Sequence, residues 1–122
     1  MIWLLLYTIP CIWFAKINAD WTAKVDWTKG KRIKHFYNGL LHCAAAIGAW
    51  FIFRNWQAPL IILLLARLVF DTLYAVFMGH SIDYTTPTPR SLVDKLEQKV
   101  FGRNGVLPKI IYAFIIVILF VI

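Results

Sequence analysis

Two charged side chains, Arg67 and Asp71, stand four residues apart inside the stretch from Pro59 to Gly79, which is otherwise apolar and long enough for a membrane-depth helix. At that spacing they share a helix face and can neutralise one another. A full charge at lipid depth is costly unless it is paired, wetted or buried against protein, so the other segments must build its surroundings. His42 and Asn38 in the preceding apolar stretch, Tyr74 one turn beyond Asp71, and His35, His80 and Asp83 near the segment ends complete the set of residues able to do chemistry.

Several chemistries use these groups. His35, His42, Asp71, His80 and Asp83 could hold a divalent metal against a lipid or isoprenoid phosphate, with Arg67 or Lys34 on the anion. The runs N-G-L-L-H at 38–42 and H-S-I-D at 80–83 match no specific metal motif, and His35 and His42 are merely two helical turns apart. As a catalytic set, His42, Asp71, Tyr74 and Arg67 offer a general base and its orienting acid, yet no nucleophile of defined geometry stands beside them; Cys43 follows His42 and points elsewhere. A carboxylate, a histidine and an arginine at membrane depth also suffice for a proton or anion path when copies assemble around an axis. The plainest use is structural: Arg67, Asp71, His42 and Asn38 as a polar network that locks helices together. Buried polar groups need partners whether or not they act, so the structural use ranks first. Phosphate-loop, dinucleotide, kinase, hydrolase-elbow and zinc-finger signatures are absent, and no cofactor is assigned.

The composition names the solvent in which such a network would sit. Of 122 residues, 61% are apolar and 16% charged, too little polar surface for a water-soluble domain. The expected fold is an all-α integral membrane protein, a single domain over 1–122, built as a four-span helical bundle with one short amphipathic interfacial helix. The net charge of +7 gathers between apolar runs, where anionic lipid headgroups explain it better than nucleic acid, which is not expected as a partner. Cys11 and Cys43 lie inside apolar runs, and no disulfide is expected.

The spans are expected at about 2–17, 34–54, 59–79 and 106–122. The first lacks a basic leader, carries Trp3 and Trp13 near its ends, and is broken by Pro10; it should end near Ala15 or Ile17 and remain in the protein. From Lys16 to Lys34, charges alternate with Trp21, Val25 and Trp27, in the manner of an extended segment or an irregular interfacial turn. The second span holds Cys43, Ala44, Ala45, Ala46, Gly48 and Ala49, a small-residue surface suited to close helix approach and to the centre of the bundle. A short turn leads to Pro59, placed to open the third span. Thr88 and Pro89 begin an amphipathic helix over 89–101, with Leu92, Val93, Leu96 and Val100 on the face expected to cover the cytoplasmic ends of the spans.

Basic residues fix the orientation. The connecting regions 18–33 and 80–105, with their immediate flanks, carry Lys16, Lys24, Lys29, Lys31, Arg32, Lys34, Arg90, Lys95, Lys99, Arg103 and Lys109, against Arg54 alone on the other side. Both loops are therefore expected in the cytoplasm, with both termini on the opposite side. His42 then lies about 9 Å and Asp71 about 12 Å from the cytoplasmic helix ends, so the two could face each other. Anionic headgroups at the loops, a homo-oligomer or a larger membrane complex are the expected partners. Taken together, the residues point to a small accessory, assembly or structural subunit of a cell membrane, with an oligomeric channel or transporter and a metal-dependent lipid-phosphate enzyme as the alternatives.

Overall fold

A computed structural model describes the backbone of residues 2–24, 30–82 and 92–122, and the side chains of all of these except 22–24 and 30–36. A 3-10 turn at Ile2–Tyr7 runs into α1 (Thr8–Lys24); α2 covers Gly30–Phe53 and α3 Gln57–Leu65. A π-helical turn, Ala66–Phe70, joins α3 to α4 (Asp71–Phe77); α5 (Leu92–Phe101) and α6 (Val106–Val121) follow. All regular structure among the described residues is helical.

Pro10 explains the start of the chain. Its ring opposes the carbonyl four residues back and it donates no backbone hydrogen bond, so the tighter 3-10 form precedes it and the α-helix continues after it. That helix does not stop at Ala15 or Ile17, nor is 16–24 extended. It runs on to Lys24 because its charges pair along it: Lys16 reaches Asp20 at 2.9 Å, and its ammonium also lies 5.5 Å above the Phe77 ring. The first apolar helix is thereby 20 residues long, Ile2–Trp21, rather than short.

The hub is the third helix, not the second. Ala58, Ile61, Ile62 and Leu65 of α3 are buried against Ala46 and Ala49 of α2, Leu4 of the first turn, and Ile116 and Leu119 of α6. Further along the same helix, Phe70 packs on Cys11 and Ala15 of α1. Those two and Ala19 are buried at spacings of four, a small-residue stripe on α1 that lets it lie close to the π turn and α4. The small residues of α2 are not all used inside the bundle: Ala45, Ala46 and Ala49 belong to the cluster built on α3, whereas Ala44 is exposed and a β-carbon at Gly48 would meet nothing within 4 Å.

The α2–α3 hairpin is tight. Arg54 closes α2 in the left-handed region, at φ 51°, with its N–H on the carbonyl of Trp50 at 2.8 Å. The side-chain oxygen of Asn55, Oδ1, then accepts from the N–H of Gln57 at 2.9 Å, starting α3 two residues before Pro59, which sits in the first turn where its missing donor costs nothing. At the other end of the chain α5 and α6 meet at 104°. Gly102, at φ 65°, makes the bend, and Asn104 Oδ1 accepts from the N–H groups of Val106 and Leu107, each at 3.1 Å.

Two helices, Ile2–Trp21 and Gln57–Phe77, are long and apolar enough to cross a membrane, and a third qualifies if the bent α5–α6 pair counts as one span. The apolar part of α2 within the described side chains, Tyr37–Phe53, falls short of that length.

Candidate functional site

Three polar contacts tie different segments of the bundle together. The deepest in consequence is at Arg67, inside the π turn. Its Nη1 donates to Asp71 Oδ2 at 2.6 Å, one turn along the same helix, and its Nη2 donates to Asp94 Oδ1 at 2.5 Å and to Glu97 Oε2, both on α5. A guanidinium is suited to this, because its donors leave in a fixed planar fork and remain charged at any ordinary pH. Three carboxylates thus converge on one cation.

The second contact joins α1 to α2. Asn38 donates to Asn18 Oδ1 at 2.9 Å, and Asn18 donates to Asn38 Oδ1 at 3.3 Å and to the Phe14 carbonyl at 2.6 Å. Both asparagines are buried. The third joins the first 3-10 turn to α2: the Tyr7 hydroxyl and His42 Nδ1 are 2.7 Å apart, with the imidazole held edge-on to Phe70 at 5.1 Å between ring centroids. The other ring nitrogen, His42 Nε2, is buried without a hydrogen-bond partner, as is Thr72 Oγ1.

Of the residues singled out by sequence, Arg67 and Asp71 are brought together. His42 is not joined to Asp71, since its one bonded nitrogen goes to Tyr7; similar depth on two helices does not fix the rotation of each about its axis. Asn38 pairs with Asn18 rather than joining the Arg67 group. Tyr74 lies half-buried and stacks on Phe70, with ring planes 6° apart. His80 is exposed beyond α4, its N–H on the carbonyl of Ala75. The side chains of His35 and Lys34, and all of Asp83, lie outside the described residues. Among the described residues no group of three His, Cys, Asp or Glu side chains is placed to hold a metal ion.

Helix α5 also turns the other way from expectation. Its acidic residues reach inward to Arg67, and Leu92, Val93, Leu96 and Val100 are exposed instead of covering the helix ends. The orientation follows the charges: Asp94 and Glu97 are both held by the partly buried Arg67. Tyr7, Asn18, Asp94 and Glu97 are thus the site residues that sequence reasoning missed. Asn18 carried a signal, since it follows the Cys11–Ala15 stripe at helical spacing; the other three did not.

The surface grooves are apolar. One of about 490 Å³ between α2 and α3 is lined by Cys43, Ala46, Ile47, Trp50, Phe51, Pro59 and Leu63. A smaller one of about 250 Å³ lies between α5 and α6, where Glu97 is the charged residue beside Val93, Leu96, Val100, Phe101 and Tyr112.

The fold and these contacts define an all-helical small protein with helices fit for a bilayer, cross-linked internally by polar side chains. Compared with known protein families, curated proteins and solved structures, the chain matches none.

Proposed function

We propose that this chain is a multi-pass protein of a cell membrane with four spans, both termini outside and the loops 18–33 and 80–105 in the cytoplasm, serving as an accessory or assembly subunit. One observation carries the subunit reading: polar side chains of the interior join separate segments of the same chain. Arg67 fastens α5 to the central helix, Asn18–Asn38 fastens α1 to α2, and Tyr7–His42 fastens the first 3-10 turn to α2. Polar side chains used as fasteners make a rigid platform, and α2 keeps a small-residue flank, with Ala44 exposed and open space beside the half-buried Gly48, for a neighbouring helix in a homo-oligomer or larger complex.

The test pairs stability with activity. In mild detergent, Asp71→Asn and His42→Gln should each reduce stability by about 0.5 to 2 kcal/mol while metal content, ion leak and lipid turnover stay as in the wild type. An activity present in the wild type and lost in a folded variant would overturn the subunit reading. Cysteine labelling in whole cells tests the topology, which fails if a probe near residue 97 reacts from outside. A second reading, a proton path through an oligomer, is favoured by His42 Nε2, a buried nitrogen beside the Tyr7 hydroxyl with a bond still to make. It requires proton leak in reconstituted vesicles that His42→Gln abolishes.

A further inference from the structure

Helix α5 sorts its charges by direction. It carries two acidic and two basic residues over Leu92–Phe101, so its formal charge is nil. At 100° per residue, Lys95, Lys99, Leu92, Leu96, Val100 and Val93 follow one another around about 160° of the helix, with Asp94 and Glu97 outside that arc. The two carboxylates are held on Arg67 Nη2, and the six residues of the arc are all exposed, Leu92 to 73% and Val100 to 71%. A neutral sequence thereby presents a cationic, apolar face. No residue of α5 is buried, and its contacts at Arg67 fix which way its two carboxylates point.

We propose that this face of α5 binds the anionic headgroup layer of a phospholipid bilayer, and that Arg67 makes it able to do so by holding Asp94 and Glu97 away from the lipid. Charge complementarity carries the choice of partner. Lysines bordering an apolar stripe place the stripe at the acyl boundary and the ammonium groups among phosphates, whereas two free carboxylates on the same short helix would cancel that attraction. Arg67 need not touch lipid to govern lipid binding. The proposal rests on the multi-pass reading above.

The full chain, reconstituted in nanodiscs of phosphatidylcholine alone or mixed with phosphatidylglycerol, provides the test, with amide hydrogen exchange of residues 92–101 as the readout. Protection should be greater in the anionic discs, and this excess should fall about fivefold for each lysine removed in Lys95→Gln and Lys95→Gln/Lys99→Gln. Added salt should shrink it as well. Arg67→Gln should abolish the excess by returning Asp94 and Glu97 to the surface, and Arg67→Gln/Asp94→Asn/Glu97→Gln should restore it. Equal protection of the wild type in both discs overturns the proposal, which is the result expected if a protein partner covers this face. An excess that survives the double lysine variant overturns it too, and that variant alters only exposed side chains should Arg67→Gln not fold. Failure of the wild type to enter either disc would count against the multi-pass reading, not against the role of Arg67.

Discussion

Arg67→Gln and the removal of any one of its three carboxylates should have very unequal costs. The side chain of Arg67 is 26% exposed, and those of Glu97, Asp94 and Asp71 are 17%, 29% and 41% exposed, so the group lies between a surface pair and a fully buried one. At an effective dielectric of about 20, two unit charges 4 Å apart interact by about 4 kcal/mol. Removing Arg67 discards three such attractions and leaves three carboxylates repelling one another. Removing a single carboxylate discards one attraction and also two repulsions, which at the somewhat longer distances across the guanidinium are of about the same total size. Solvent screening of these part-exposed groups and the cost of desolvating them offset most of those sums, so Arg67→Gln should cost about 3 kcal/mol, the lower end for a broken buried pair, whereas Asp94→Asn or Glu97→Gln alone should fall within about 1 kcal/mol of the wild type. Asp94→Asn and Glu97→Gln together should cost more than their sum, because Arg67 keeps no carboxylate on α5 once both are gone. Reversible unfolding in bicelles, followed by steric trapping, measures each value. The reasoning fails if either single acid variant destabilises as much as Arg67→Gln, or if Arg67→Gln is neutral.

Asn18→Leu and Asn38→Leu should each cost about 1 to 2 kcal/mol by orphaning a buried amide, and the double variant should recover part of that loss in the same unfolding measurement. Tyr7→Phe should cost about 1 kcal/mol and leave His42 with neither ring nitrogen bonded, visible as a changed imidazole resonance in nuclear magnetic resonance. On α2, Ala49→Leu should disrupt packing on α3 and lower the melting temperature, whereas Gly48→Leu, with open space at its β-carbon, should be tolerated by the isolated chain. If α2 forms the subunit contact, Gly48→Leu should instead dissociate the oligomer in size-exclusion chromatography with light scattering.

What could be read from residues alone was what depends on neighbours along the chain. The spacing of Arg67 and Asp71 contains their pairing, and the pattern from Leu92 to Phe101 contains an amphipathic helix. What could not be read depends on how each helix is rotated about its axis. His42 meets Tyr7 because the first 3-10 turn and α2 are turned to bring those faces together, and no count of residues from a helix end supplies that angle. The continuation of α1 past Ile17 was hidden by its charges, which suggest an exit from the membrane unless Lys16 and Asp20 are seen as partners on one helix. The orientation of α5 was hidden because its partner lies on another helix: the carboxylates of Asp94 and Glu97 turn to Arg67, and no pattern within Leu92–Phe101 names that arginine.

The π turn at Ala66–Phe70 acts as a phase shifter. Leu65 and Phe70 are both buried, yet five residues of regular α-helix would carry them about 140° apart. With the longer turn of a π-helix the surplus residue is absorbed, and Phe70 comes back towards the side from which Leu65 points. One continuous rod can then show α2 and α6 its first half and α1 its second without bending away from any of them. Such a rod has a discrete failure mode. Winding these five residues back to regular α-helix would leave the composition and the apolar length untouched, but it would rotate α4 by about 100° relative to α3, whereas deleting the one surplus residue would allow the same winding with α4 still facing its neighbours. In the first case Phe70 would swing away from Cys11 and Ala15, so loss of the π turn alone would misalign half of the bundle while a hydropathy profile registered nothing.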